Sequence, residues 1–182
     1  MPTRPILAFT GPLTCGKTTA AKVLEREGYT RLRFAGPLKA MLLAFGLSRE
    51  QVDGALKETP TELLCGKTPR FAMQTLGTEW GRDIIGNDLW LHAFRHQVET
   101  LPADVPVVID DARFPNEFDL IRRMRGRIVY IDRDGCTTGE HASEQFDLEP
   151  DYRIYNGELK AFQKNVSKLA YDFRVFCERD AA

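Results

Sequence analysis

Strands alternating with helices along most of the chain predict an α/β protein whose parallel sheet is covered by helices on both faces. Two observations carry this reading. Short apolar runs at Ile6 to Phe9 and Pro106 to Asp110 are each followed by a segment of helical spacing, a further apolar run stands at Ile128 to Ile131, and a glycine-bearing loop separates the first run from the first helix. In such sheets ligands gather at the carboxyl ends of the strands. The 182 residues, 43% hydrophobic and 28% charged, suit one compact domain carrying an insertion.

Taken in order, the strand Ile6 to Phe9 runs into the loop Thr10 to Gly16, and a helix from Thr18 to Glu27 ends near Gly28. Thr30 to Ala35 reads as a second strand. Pro37 then opens a helix, where its missing N–H is no loss, and Leu38, Met41, Leu42 and Phe45 repeat at helical spacing. Residues 48–97 are polar, broken by Pro60 and Pro69, and carry helical patterns at Val52 to Leu56, Phe71 to Leu76 and Leu89 to Val98, so they read as a helical insertion. Val107, Val108 and Ile109 make a buried parallel strand by composition, with a helix from Glu117 to Met124 behind it. Ile128 to Ile131 is the next strand. A loop with few large apolar residues spans Gly135 to Pro150, and Tyr152 to Ile154 precedes a final helix from Leu159 to Glu178. The expected division is a core of 1–47, 98–131 and 151–182, the insertion 48–97, and a lid of 132–150.

Twenty-five Lys+Arg against 26 Asp+Glu leave a net charge of -1, so no whole-chain basic field points to a nucleic-acid partner. No run reaches the ~18 apolar residues of a membrane span, and the opening MPTRPILAF has too short an apolar stretch for a signal peptide. The expected location is the cytoplasm. The cysteines Cys15, Cys65, Cys136 and Cys177 contain no C-x-x-C pair and are expected to be free thiols.

The segment Gly11-Pro-Leu-Thr-Cys-Gly16-Lys17-Thr18 matches G-x-x-x-x-G-K-[ST] at every fixed position, between a strand and a helix as that motif requires. Its glycines let backbone N–H groups wrap phosphate oxygens, and Lys17 adds a full charge toward the β/γ-phosphates. Gly11, Thr14, Cys15, Gly16, Lys17, Thr18 and Thr19 are thus the candidate ATP-phosphate residues, with the Thr18 hydroxyl placed for Mg²⁺. A second Gly-Lys-Thr at Gly66-Lys67-Thr68 lacks the first glycine, Thr61 standing there, and no buried strand precedes it. It reads as a loop.

The strand at Val107 delivers Asp110, Asp111 and Arg113 to its carboxyl end. Asp110 or Asp111 supplies a hard oxygen for a Mg²⁺ water shell or orients an acceptor, and Arg113 offers a planar fork to a phosphate. Arg70 and Arg82 are further phosphate candidates and Trp80 a candidate for stacking on a base. His141, in the predicted lid, reads as a loop hydrogen bond ahead of a general base. His92 and His96 lack the intervening Glu of a zinc H-E-x-x-H.

With these residues in view, the chain resembles the bacteriophage-type deoxynucleoside monophosphate kinases of the P-loop nucleoside monophosphate kinase group. The resemblance rests on the N-terminal loop, Phe34-Ala-Gly-Pro-Leu-Lys39, the Leu-Gly-Thr-Glu-Trp-Gly-Arg core within Arg70 to Trp90, Asp111-Ala-Arg113-Phe-Pro-Asn-Glu117 and His141-Ala-Ser-Glu144. It implies a three-layer P-loop NTPase fold, and transfer of the ATP γ-phosphoryl group to a deoxynucleoside 5′-monophosphate with Mg²⁺. It further implies Lys17, Asp111 and Arg113 as catalytic, and Lys39, Arg70, Gly77, Thr78, Trp80, Arg82, Trp90, Asp111, Arg113 and Glu117 as acceptor-binding. Thr18 and Asp110 would hold the metal, Arg133 would face the migrating phosphoryl group with Arg122, Arg123 or Arg125 as substitutes, and Asn156 would border the ATP base. A homodimer is the implied assembly. Two other readings stand beside it: a kinase acting on 5-hydroxymethyl pyrimidines within phage DNA, and a nucleotide-binding regulatory module, which the absence of N-K-x-D disfavours.

Overall fold

The computed structural model describes residues 4–136 and 149–179. Five strands, β1 (Ile6–Thr10), β2 (Thr30–Leu32), β3 (Val107–Ile109), β4 (Arg127–Asp132) and β5 (Tyr152–Tyr155), form one sheet in the order β2-β3-β1-β4-β5. Every neighbouring pair is parallel. The α/β expectation therefore holds, and the carboxyl ends of β1, β3 and β4 lie side by side where the motif loop leaves β1.

The chain divides into two compact units, one running up to Arg33 and resuming at Gln97, the other spanning Phe34–His96. The first contains the sheet with α1 (Lys17–Arg26), α6 (Pro115–Arg123) and α7 (Leu159–Arg179). All five residues of β1 are buried because β1 is an inner strand covered on both faces. Leu7 and Phe9 point into a cluster with Ala20, Ala21 and Leu24 of α1 and Phe162, Val166, Ala170 and Phe173 of α7, repeats of three and four that put one helical face on the sheet. On the other face Ile6 meets Ile121 of α6 across Gly126, where a Cβ would come within 2.8 Å of Ile121. That crowding excludes a larger residue.

The second unit is helical: α2 (Gly36–Phe45), α3 (Arg49–Val52), 3₁₀ turns at Ala55–Glu58 and Glu62–Leu64, α4 (Pro69–Thr75), a π-helix Leu76–Ile85, and the start of α5 (Leu89–Thr100). Leu42, Leu47 and Val52 form its small core with Leu64, Ala72, Met73 and Leu76 against them. Phe34 and Phe94 stack at 4.3 Å. β2 stops at Leu32, short of the Ala35 expected from sequence, and α2 opens with Pro37 in its first turn as expected. The π-helix fills the stretch between the helical patterns expected at Phe71 to Leu76 and Leu89 to Val98. Its wide turn carries the Leu-Gly-Thr-Glu-Trp-Gly-Arg core and closes with the Gly86 N–H donating to the Gly81 carbonyl, five residues back, at 3.0 Å.

Candidate functional site

Gly11 begins the motif loop at φ 135°, and a Cβ there would stand 2.6 Å from the Ile131 carbonyl of β4. Only glycine lets the chain turn this close to its neighbouring strand. Thr14 at φ 64° and Gly16 at φ 115° complete the left-handed turns that fold the loop, and α1 starts at Lys17. Asn156, buried just after β5, donates from Nδ2 to the Cys15 carbonyl at 2.7 Å and packs directly on Gly16. The Asn156 backbone N–H donates to the Asp132 carbonyl at 2.7 Å, so the sheet itself aims this side chain. Arg133 Nη1 donates to the Thr14 carbonyl at 3.1 Å. Asn156 and Arg133 both hold the loop by its backbone.

Lys17 is folded over the loop, its Nζ donating to the carbonyls of Gly11 at 2.7 Å and Pro12 at 2.6 Å. Thr19 lies half-buried in the first turn of α1. The Thr18 hydroxyl donates to Asp110 Oδ2 at 3.0 Å, joining the start of α1 to the residue after β3. Asp110 also accepts from Arg31 Nε at 3.0 Å, from Arg31 Nη2, and from Arg33 Nε at 3.2 Å. Burial alone would push this carboxyl up, but the Arg31 hydrogen bonds and charge, with Arg33 and Thr18 behind them, hold it below the ordinary carboxylate value. It stays an anion 6% exposed, held by charge-assisted bonds.

Arg31 and Arg33 were missed from the sequence. The β2–β3 register pairs Leu32 with Ile109, which carries Arg33 opposite Asp110, and Arg31 lies on the same face by the two-residue period. Arginines at alternate positions of a short strand were the available signal.

Asp111 is half-buried and Arg113 exposed on the segment between β3 and α6. Glu117, 2% exposed, accepts from the Arg113 N–H at 2.7 Å and the Phe114 N–H at 3.1 Å through Oε2. It is the capping carboxylate of α6, and it sets the path of the Asp111–Arg113 segment.

In the second unit Trp90 is buried and donates from Nε1 to the Gly77 carbonyl at 2.8 Å, while Trp80, 38% exposed, lies 6.3 Å from it at a 50° tilt. A Cβ on Gly81 would come within 2.6 Å of the Trp90 ring, so that glycine is required by ring contact. Thr78 is exposed and Arg82 half-buried on the same π-helix. Lys39 pairs with Asp53 at 2.6 Å and Arg70 with Glu58, both within this unit. Gly77, Trp80 and Trp90 thus come together, while Lys39 and Arg70 each hold a local ion pair.

Gly66-Lys67-Thr68 forms a turn that ends as the cap of α4, the Thr68 hydroxyl accepting from the Phe71 N–H at 3.1 Å. His92 and His96 are exposed, and among the described residues no three His, Cys, Asp or Glu side chains gather as a metal site. His141 and most of the segment 132–150 fall outside the described residues. No helix among the described residues is long and apolar enough to cross a membrane.

A family model described as deoxynucleotide monophosphate kinase matches residues 67–161. A relative of that family name in Acanthamoeba polyphaga mimivirus is 38% identical over 154 residues, covering 76% of this chain and 80% of the relative. The deoxynucleoside-5′-monophosphate kinase of Escherichia phage T5 is 32% identical over 120 residues, 61% of this chain and 46% of that one. Among solved structures, the APS kinase CysC of Mycobacterium tuberculosis in complex with AMPPNP and APS superposes with a TM-score of 0.53 at 15% identity, covering 95% of this chain and 98% of that one. A Thermus thermophilus protein, TT1252, gives 0.55 at 14% identity, covering 93% and 97%. These two likenesses establish the three-layer α/β fold.

Proposed function

The chain belongs to the deoxynucleotide monophosphate kinase family and is an ATP-dependent kinase of deoxynucleoside 5′-monophosphates; from that premise we propose how its own residues divide the work. The loop Gly11–Thr18 receives the ATP phosphates, its N–H groups and the α1 N-terminus supplying partial positive charge and Lys17 a full one. The observation that carries this is the loop itself: left-handed turns at Gly11, Thr14 and Gly16, a backbone held by Asn156 and Arg133, and a lysine already turned over it. Lys17 exchanges two carbonyl partners for phosphate oxygens when ATP arrives.

Thr18 Oγ1 and Asp110 Oδ2, 3.0 Å apart, are hard oxygen donors of the kind Mg²⁺ takes, and they fit that ion. When bound, Mg²⁺ neutralises charge on the β- and γ-phosphates. Arg31 and Arg33 keep Asp110 ionised and in place. Arg113 and Asp111 address the acceptor phosphate, whose oxygen is already anionic and needs positioning more than deprotonation. Glu117 acts through Arg113 by holding its N–H. Trp80 stacks on the acceptor base, Trp90 and Gly77 set the π-helix beneath it, and Lys39, Arg70, Thr78 and Arg82 supply polar contacts. Arg133 stands at the loop for the migrating phosphoryl group. The acceptor is a free nucleotide in the cytoplasm, and the assembly is a homodimer, which light scattering tests.

The experiment is ADP release from Mg²⁺-ATP against dAMP, dGMP, dCMP, dTMP and 5-hydroxymethyl pyrimidine monophosphates, with hydroxymethylated duplex DNA in parallel. Turnover that depends on a free monophosphate is the expected result and names the base. Turnover with DNA alone overturns the free-nucleotide acceptor.

A further inference from the structure

We propose that Cys15 and Cys136 form a modification site, at which a peroxide-class oxidant makes a reversible disulfide that fastens the phosphate-binding loop to the turn after β4 and shuts ATP out. Both are free thiols in the structure. Cys15 is sealed beneath the loop, its sulfur 3.1 Å from where a Cβ on Gly11 would stand and 3.8 Å from Lys17 Nζ. Cys136 is half-buried and packs against the apolar cluster to which Cys15 belongs. The hydroxyl of Thr14, the residue before Cys15, lies 3.5 Å from the Cys136 sulfur. Arg133 Nη1 donates to the Thr14 carbonyl at 3.1 Å and the Cys136 N–H to the Arg133 carbonyl at 3.3 Å, so the turn 133–136 is seated on the loop.

Burial pushes the Cys15 thiol up despite the Lys17 charge, and the neighbouring Cys136 adds to that rise. Cys15 therefore rests as a thiol, and the more accessible Cys136 meets the oxidant first. Hydrogen peroxide converts the Cys136 thiol to a sulfenic acid, releasing one water. The Cys15 sulfur then attacks that sulfur: the S–S bond forms, the S–O bond breaks, and the hydroxide leaves as a second water with the Cys15 proton. Two thiols give two electrons to one peroxide. The cross-link ties the loop at the residue whose carbonyl Asn156 holds, and the loop can no longer wrap a phosphate.

The proposal rests on the loop being the ATP site, and its test separates the two. Full-length protein carrying Cys65→Ser, which removes the exposed thiol, is titrated with a non-hydrolysable ATP analogue before and after hydrogen peroxide, then alkylated and mapped by non-reducing peptide mass spectrometry. The expected result is a Cys15–Cys136 peptide, a fall in analogue affinity of about tenfold or more, and recovery with dithiothreitol. Adding Cys136→Ser is expected to leave affinity unchanged by peroxide. Failure of the reduced protein to bind the analogue refutes the ATP site and the proposal together. Binding by reduced protein with both thiols still separately alkylated after peroxide overturns the proposal alone, as does a cross-linked protein of unchanged affinity or a Cys136→Ser protein that loses affinity like its parent.

Discussion

Cys-Gly-Lys-Thr occurs twice, at 15–18 and 65–68, and the two copies are set in different surroundings. Ahead of the first, β1 is buried along its length and Cys15 is sealed in the core. Ahead of the second stands a single 3₁₀ turn with no buried residue, and Cys65 is exposed at φ 52°. Lys17 is folded onto the carbonyls of its own loop, whereas Lys67 lies 5.4 Å over the Phe71 ring. The Thr18 hydroxyl reaches a buried carboxylate, and the Thr68 hydroxyl caps a helix. Four identical residues become a phosphate cradle only where a strand end, a tight glycine turn and a helix start converge.

The largest expected effect separates the lysines. Lys17→Ala should lower kcat more than a hundredfold, since removing a charge-stabilising group costs ~3 kcal/mol or more. Lys67→Ala in the same steady-state assay should change it by less than about twofold, its cation–π contact being worth ~1 kcal/mol of stability at most. Equal losses would erase the comparison.

Asp110→Asn tests the carboxylate that only the first copy has. It leaves Arg31 and Arg33 facing a neutral amide, and breaking a buried pair on one side costs about 3 kcal/mol. The dependence on pH has a definite sign. Asp110 is held below its ordinary value, so its contribution is complete above the unfolded carboxylate pKa and is lost as pH falls through the lower folded value. In urea denaturation the gap between parent and variant should be constant near neutrality and narrow below about pH 4. A gap that widens on acidification would contradict the ion-pair assignment.

Alanine at the two glycines comes next. Both sit at positive φ, 115° for Gly16 and 80° for Gly66, which costs ~1–2 kcal/mol for an L side chain. Nothing lies within 4 Å of a Cβ at Gly66, while at Gly16 it would collide with the Asn156 amide that holds the loop. Gly16→Ala should therefore raise the KM for ATP about tenfold and Gly66→Ala leave it unchanged, with Gly16→Ala losing the more stability because the collision adds to the backbone strain that both share.

The loop between β1 and α1, the parallel sheet and the polar end of β3 were legible because each rests on local pattern: a buried run, glycines at fixed offsets, carboxylates after Val107-Val-Ile. Arg31 and Arg33 were illegible for the opposite reason. Their partner Asp110 is 79 and 77 positions away in the chain, and only the β2–β3 register brings them opposite. The π-helix was likewise hidden, since a turn of five residues answers to the Trp90 ring pressed on Gly81, a contact no 3.6-residue period reports. The resemblance implies Glu117 as a ligand of the acceptor; in the structure its Oε2 accepts from the Arg113 and Phe114 N–H groups, a geometry the sequence does not announce, because Phe114 stands where a capping box has Ser, Thr, Asp or Asn.

The smallest effect completes the contrast from the side of the second copy. Thr68 precedes Pro69 at the first turn of α4, and its hydroxyl satisfies the Phe71 N–H, which no residue within the helix can do. Thr68→Ala removes that acceptor and should cost ~1 kcal/mol of stability, visible as a shift in urea midpoint with the slope unchanged. A threonine serving only as a cap has no link to phosphoryl transfer, so kcat and the KM for ATP should stay at parent values. Thr68→Asn, which keeps an oxygen at the same place, should restore the midpoint. A Thr68→Ala enzyme of normal stability and reduced kcat would give the second Gly-Lys-Thr a share in the chemistry that its surroundings deny it.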